Sequence, residues 1–238
     1  VITYSQLGQW GRLGNQLFEV ATTIGLALKN NDSYGFPHWE YSNYCNLKDC
    51  YYNNLLFSKT YQEPFFHYKE IPYSPNLDLR GYFQSYKYFK EYEYFILSSL
   101  TPSMNVEPES DLCAIHVRRG DYLNLPDHYH QLDMNYYRQA MDIIKSDRYI
   151  IFSDDIAWCK SNFTGNQFIF SENSSPYEDL AIMSKKCDNV IIANSSFSWW
   201  GAYLNTNFGK KIIAPKKWFG PKLAHDTGDL LPENWTKI

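Results

Sequence analysis

The strongest constraint in this chain is an alternation that sets in after residue 110. Apolar runs recur at 112–117, 149–152, 167–170, 190–193 and 211–214. Between them lie stretches of helical character near 134–146, 155–163, 176–187 and 197–207. Strands separated by helices have to be joined by crossovers, which gives βαβ units and a parallel sheet. One helix carries its own start signal: Ser175 precedes Pro176, and Glu178 completes a capping box. Parallel sheets bind ligands at the carboxyl ends of their strands. The residues to inspect are therefore 116–121, 153–155 and 194–198, each polar and each following an apolar run.

The first hundred residues are less regular. Residues 1–4 predict a short strand, followed by a loop punctuated by Gly8, Gly11 and Gly14. A helix is predicted over 15–29, with Leu17, Val20, Ala21, Ile24 and Leu28 on one face and Asn15 as its N-cap. Residues 30–78 show no usable period. A strand at 79–83 and a helix at 85–99 are expected, then a linker at 101–110 containing Pro102 and Pro108. The length permits one large domain or two small ones; if two, the linker sets them at 1–108 and 109–238.

Composition narrows the partners. The net charge is −4 with no basic stripe, which argues against nucleic acid. A diphosphate is still compatible, since one or two placed arginines suffice for it. The five cysteines are scattered without a C-x-x-C pair, so neither a zinc ribbon nor a disulfide framework is expected. There is no signal peptide and no run of about 18 apolar residues. These features predict a cytoplasmic protein, or one of the Golgi lumen if an N-terminal anchor has been removed. Five N-x-S/T sequons occur, at Asn31, Asn162, Asn173, Asn194 and Asn234. A glycan on Asn194 would fall within the predicted site.

Three groups of residues carry possible chemistry. His116-Val117-Arg118-Arg119-Gly120-Asp121-Tyr122 places two arginines at the exit of a buried strand. They meet either the protein's own carboxylates or the oxygens of a phosphate. The Arg119-Gly120-Asp121 tripeptide on its own is a very weak adhesion signal. Asn194-Ser195-Ser196-Phe197-Ser198-Trp199-Trp200-Gly201 runs from a strand into a helix. Its hydroxyls and free helix N–H groups suit a phosphate, and Ser195 or Ser196 also suits a simple N-cap. Trp199 and Trp200 read as core. Gly11-Arg12-Leu13-Gly14-Asn15-Gln16 opens the first helix but lacks the dinucleotide G-x-G-x-x-G pattern.

In this order, the three groups resemble glycosyltransferase family 11, the α-1,2-fucosyltransferases. The H-x-R-R-G-D-Y segment is similar to the motif that family shares with α-1,6- and protein O-fucosyltransferases. F-S-D-D at 152–155, Tyr177-Glu178-Asp179-Leu180 and S-F-S-W-W-G at 196–201 also match. The resemblance covers residues 7–28 and 112–214. It implies an α/β chain of the GT-B fold, two Rossmann-like domains facing across a cleft, with the acceptor on the first and GDP-fucose on the second. It implies an inverting, metal-independent transfer of L-fucose from GDP-β-L-fucose to O2 of a galactose-type acceptor in an oligosaccharide or glycan, with no cofactor beyond the donor. Asp154 and Asp155 are then a helix-start or hydrogen-bonding pair rather than metal ligands.

The resemblance also assigns roles. Arg118, with Arg119, holds the diphosphate. His116 and Asp179 contact guanine. Ser195 and Ser196 touch the phosphates, and Asn15 reaches the donor from the first domain. Arg118 is the donor aimed at charge developing on the leaving phosphate. Related α-1,6 enzymes place a glutamate base ten residues after the motif histidine, where this chain has Pro126. Asp121, Asp127, His128, His130 and a donor phosphate oxygen are the substitutes, with Asp121 and His130 taken as catalytic candidates. Another linkage, another GDP-sugar, or a non-catalytic sugar-binding module are the alternatives.

Overall fold

The computed structural model describes residues 1–47, 50–52, 56–172 and 175–238. The sequon at Asn173 lies outside the described residues. The chain divides into two compact units, Val1–Ser103 with His225–Pro232, and Met104–Ala224 with Glu233–Ile238. Each is α/β with a wholly parallel sheet.

The first unit has a four-stranded sheet in the order β2-β1-β4-β3. Its strands are β1 (Ile2–Thr3), β2 (Tyr34–Gly35), β3 (Lys59–Gln62) and β4 (Leu77–Arg80). Helix α1 (Leu13–Lys29) follows β1, and α2 (Glu93–Leu100) closes the unit. The expected strand and helix near 79–99 are present with shifted bounds. The front of the predicted second helix is two 3₁₀ turns, Tyr86–Tyr88 and Lys90–Tyr92. Helix α1 is buried almost all round rather than on one face. Leu17, Val20, Ala21 and Ile24 are sealed, and so are Glu19, Thr22 and Thr23. Its start differs from expectation. Arg12 occupies the N-cap and no side chain caps the helix. Asn15 lies inside the first turn, and its Oδ1 accepts instead from Gln84 Nε2 at 2.9 Å.

The second unit has six strands in the order β10-β9-β8-β5-β6-β7. These are β5 (Glu109–Val117), β6 (Arg148–Ser153), β7 (Phe168–Phe170), β8 (Cys187–Ile191), β9 (Ile212–Ala214) and β10 (Thr236–Lys237). Five match the apolar runs; β10 is two exposed residues with no such signal. The crossovers are α3 (Met134–Ile144), α4 (Ile156–Asn162), α5 (Pro176–Ala181) and α6 (Ser196–Tyr203). Ser175 caps α5 by accepting from the Tyr177 amide. A π-helical turn, Ile182–Lys186, carries that helix straight into β8.

Cys113, Ile115, Val117, Ile151, Ile191 and Ile213 face α3 through Tyr137 and Ala140 to form one apolar cluster. Each fully buried side chain of this size contributes about 1.5–3 kcal/mol. Trp199 and Trp200 are fully buried, 5.0 Å apart edge to face, and Trp199 stacks on Tyr203. Both are packing residues. All five cysteines are free and buried. Among the described residues, no helix is long and apolar enough to cross a membrane.

Candidate functional site

In the second unit the chain runs β5, β6, β7 toward one edge, then returns to place β8 on the other side of β5. The strand order therefore reverses between β5 and β8. A crevice for ligand opens at such a point, at the carboxyl ends of the strands. The residues leaving β5 and β8 are His116–Asp121 and Asn194–Ser198, two of the three polar groups in the sequence.

Register explains what meets there. Strands β5 and β6 stay paired as far as His116 with Phe152 and Val117 with Ser153. The next residues on each side are Arg118 and Asp154. Arg118 Nη1 lies 2.9 Å from Asp154 Oδ2, and Nη2 lies 2.5 Å from Asp121 Oδ1. The guanidinium also sits over the Tyr122 ring, 5.2 Å from its centroid. Gly120 makes room for this arrangement, because a Cβ there would meet Asp154 Oδ2 at 2.4 Å. Arg119 turns the other way. Its backbone N donates to Asp154 Oδ1 at 2.9 Å and its Nε to Asp155 Oδ2 at 3.1 Å. Its guanidinium lies 4.0 Å over the Trp158 ring. Asp155 also N-caps α4 by accepting from the Trp158 amide. Both arginines are thus paired with the chain's own carboxylates. Asp154 and Asp155 each serve an arginine, one of them also a helix start.

His116 is buried within β5, and its Nδ1 has no partner. Burial, reinforced by the Arg118 charge, pushes its pKa down to about 3, so the imidazole is neutral. Its ring lies 5.6 Å from Phe197 at the start of α6. Ser195 occupies the N-cap of α6, but its side chain makes no capping bond. The simple reading of Ser195 as a side-chain cap is therefore not what the geometry gives. Arg118 supplies positive charge nearby, and the first turn of α6 presents backbone N–H groups with the favourable end of the helix dipole.

Two residues of these motifs to which the sequence assigned no role of their own organise the loops. Asn194 is buried, and its Nδ2 donates to His130 O at 2.9 Å and Trp218 O at 2.8 Å. Tyr122 donates to Asn194 O at 3.0 Å and stacks on Tyr129 with centroids 3.9 Å apart. Together they tie the loops after β5, β8 and β9. The sequon at Asn194 points to the wrong chemistry: this amide is already committed to two backbone carbonyls.

The other predicted residues are placed as follows. Asp121 is half exposed and engaged with Arg118. His130 is partly buried, with its pKa lowered by burial and then by Lys217. Asp127 is exposed and paired with Lys222 at 2.9 Å. Asp179, in α5, accepts from Ser171 Oγ at 2.7 Å, just after the edge strand β7. Asn15 belongs to the first unit and is held there by Gln84.

Fold and site define an α/β protein with paired arginines, a neutral histidine and a helix start gathered at the carboxyl ends of parallel strands. The chain belongs to glycosyl transferase family 11, whose family model matches residues 28–238. An O-antigen biosynthesis glycosyltransferase named WbnK, from Escherichia coli, is 37% identical over 136 residues, covering 52% of this chain and 44% of that protein. An alpha-1,2-colitosyltransferase from the same organism is 29% identical over 187 residues, 68% of this chain and 63% of the relative. Galactoside alpha-(1,2)-fucosyltransferase 2 of Oryctolagus cuniculus is 27% identical over 239 residues, 83% of this chain and 67% of the relative. The chain thus spans 44% and 63% of the two Escherichia coli proteins. In structure it is similar to NodZ alpha-1,6-fucosyltransferase, solved after soaking with GDP-fucose. The TM-score is 0.50 at 13% identity, over 85% of this chain and 91% of that one. At that identity the likeness is one of fold.

Proposed function

We propose that this protein transfers L-fucose from GDP-β-L-fucose to a sugar hydroxyl, O2 of a galactose-type acceptor, by one inverting displacement. The two α/β units work in this reading as a GT-B pair. The observation that carries it is Arg118. It is a guanidinium fixed on two carboxylates at the reversal point of a parallel sheet, in a site that also holds the start of α6. A neutral sugar needs no such group; a diphosphate does.

The roles follow from that geometry. Asp154 stays as the anchor of Arg118, while the diphosphate takes the place of the half-exposed Asp121. The α6 amides and the Ser195 and Ser196 hydroxyls bind the phosphates. Arg118 stabilises the charge that grows on the leaving phosphate; losing such a donor costs about 10²–10³ in rate. His116, neutral and with Nδ1 unpartnered, has a hydrogen-bonding position left for guanine. Asp179 is the second guanine contact, its carboxylate suited to the N1–H and N2–H₂ edge. Arg119, closed between Asp155 and Trp158, shapes the loop and supports Arg118. The acceptor proton goes to Asp121 or His130, or to a phosphate oxygen of the donor itself.

One second reading has a specific observation behind it. A relative named for colitosyl transfer aligns with 68% of this chain at 29% identity, so another GDP-sugar is the alternative donor. The test is a transfer assay with GDP-fucose and a terminal-galactose oligosaccharide, the product read by NMR. An α-fucoside on galactose O2 supports the proposal. Hydrolysis or transfer only with a different GDP-sugar supports the second reading. No turnover and no GDP binding sinks both.

A further inference from the structure

We propose that Glu63 is a positioning residue, which holds Asn15 in place by clamping the loop 81–84. The proposal rests on the donor-binding reading above together with the donor contact that the family resemblance implies for Asn15.

All the links lie within the first unit. Glu63 follows β3 directly, and its backbone N donates to Arg80 O at 2.7 Å. This brings its side chain under the turn that leaves β4. Oε2 accepts from two successive amides, Tyr82 N at 2.8 Å and Phe83 N at 3.1 Å. Oε1 is buried and has no partner. The loop it grips does not adopt an ordinary conformation. Gly81 has φ +136°, and a Cβ there would come within 2.3 Å of Glu63 Cβ. Phe83 has φ +49° although it is bulky and fully buried. A large residue holds that conformation only where its surroundings impose it. The carboxylate imposes it by fixing both amides. The next residue is Gln84, nearly buried, whose Nε2 donates to Asn15 Oδ1 at 2.9 Å. Glu63, the Tyr82–Phe83 amides, Gln84 and Asn15 thus form one continuous chain of hydrogen bonds and backbone.

The clamp responds to pH. Burial pushes the Glu63 carboxyl up to about 7. The titratable groups facing it are Glu19 from α1, Tyr4 after β1, Tyr61 on β3, Tyr82 in the loop and Tyr88 in the 3₁₀ turn that follows. Glu19 is itself raised by burial, and so are Tyr4, Tyr61 and Tyr88. None of these neighbours is a cation. Above pH 7 Glu63 is ionised and both amide bonds are charge-assisted, roughly twice as strong as neutral ones. Below it they weaken, the strained loop relaxes, and Gln84 no longer fixes Asn15.

Two measurements test this on the full chain. The first is a pH titration followed by ¹H–¹⁵N NMR and needs no donor. The Tyr82 and Phe83 amides and the Gln84 side-chain amide should titrate together near pH 7 in the wild type, and none of them should do so in Glu63→Gln. Amides that titrate while the Gln84 side chain stays flat would break the relay and overturn the proposal. The second is transfer kinetics. Glu63→Ala and Gln84→Ala should each lower kcat by about 10–100-fold with little change in acceptor KM, as a misplaced contact does. The double variant should be no worse than the poorer single one. Glu63→Gln, which still offers an oxygen to both amides, should recover most of the rate at pH 8 and lose the fall near pH 7. A wild-type rate in Glu63→Ala, or additive losses in the double variant, would overturn the inference. A wild type that neither binds GDP nor transfers fucose indicts the functional reading instead, and the NMR result then decides the clamp alone.

Discussion

Arg118 and Asp154 leave adjacent strands at the same level and meet at 2.9 Å, because β5 and β6 remain in register to their last paired residues. Asp154 is the more enclosed of the two carboxylates on Arg118, and it also holds the Arg119 amide. It is therefore the fixed point of the strand-end loop, whereas Asp121 is the partner that a ligand can replace.

Asp154→Ala should lower the transfer rate by about 10–100-fold, since a misplaced guanidinium stabilises the leaving phosphate poorly. It should also lower stability by about 1–3 kcal/mol, from the unpaired Arg118 and the lost bond to the Arg119 amide. Initial rates and urea denaturation of the same preparation read both effects. A variant that keeps its rate while losing stability would make the pair purely structural.

Asn194→Ala should destabilise the protein by about 1–3 kcal/mol, because the His130 carbonyl loses its Asn194 donor and the Trp218 carbonyl keeps only the longer bond from the His130 amide. In the wild type, the buried Asn194 amide should escape glycosylation in a host that modifies sequons. Peptide mass analysis checks that point: a glycan on Asn194 in folded protein contradicts the geometry.

Glu19 is fully buried in α1, and burial pushes its carboxyl up to about 8 from an ordinary value of 4.5. The folded state therefore holds this proton more tightly than the unfolded chain. The stability gained from it is complete below pH 4.5 and is lost as pH rises through 8. Glu19→Gln removes the cost of ionisation. It should match the wild type near pH 4.5 and exceed it at pH 9 by on the order of 2–5 kcal/mol, at about 1.4 kcal/mol per pKa unit. Urea midpoints at the two pH values decide it, and a wild type that is the more stable at pH 9 contradicts the burial of this group.

How much of this was legible depended on burial. The inner stretches of β5, β6 and β8, residues 112–117, 149–152 and 190–191, are buried on both faces, so they read as apolar runs. The strand β3 is Lys-Thr-Tyr-Gln, almost wholly exposed at the sheet edge, and nothing in it distinguishes a strand from a loop. The two residues of β2 are too short to carry a period. Site residues were legible as polar groups following apolar runs, but their pairings were not. Whether Arg118 met a carboxylate was open until the register brought Asp154 beside it. Glu63 was invisible for the same reason: its role depends on amides nineteen and twenty residues away. Asn15 was misread as a cap because its spacing is equally compatible with the first helical turn.

The most direct test of the central claim is calorimetric titration of GDP into the wild type and Arg118→Ala, in chelator-treated buffer. The account predicts micromolar-range binding by the wild type, lost or weakened at least about a hundredfold in the variant, with the circular dichroism of the two unchanged. Equal GDP binding by both would remove Arg118 from the diphosphate site and contradict the account.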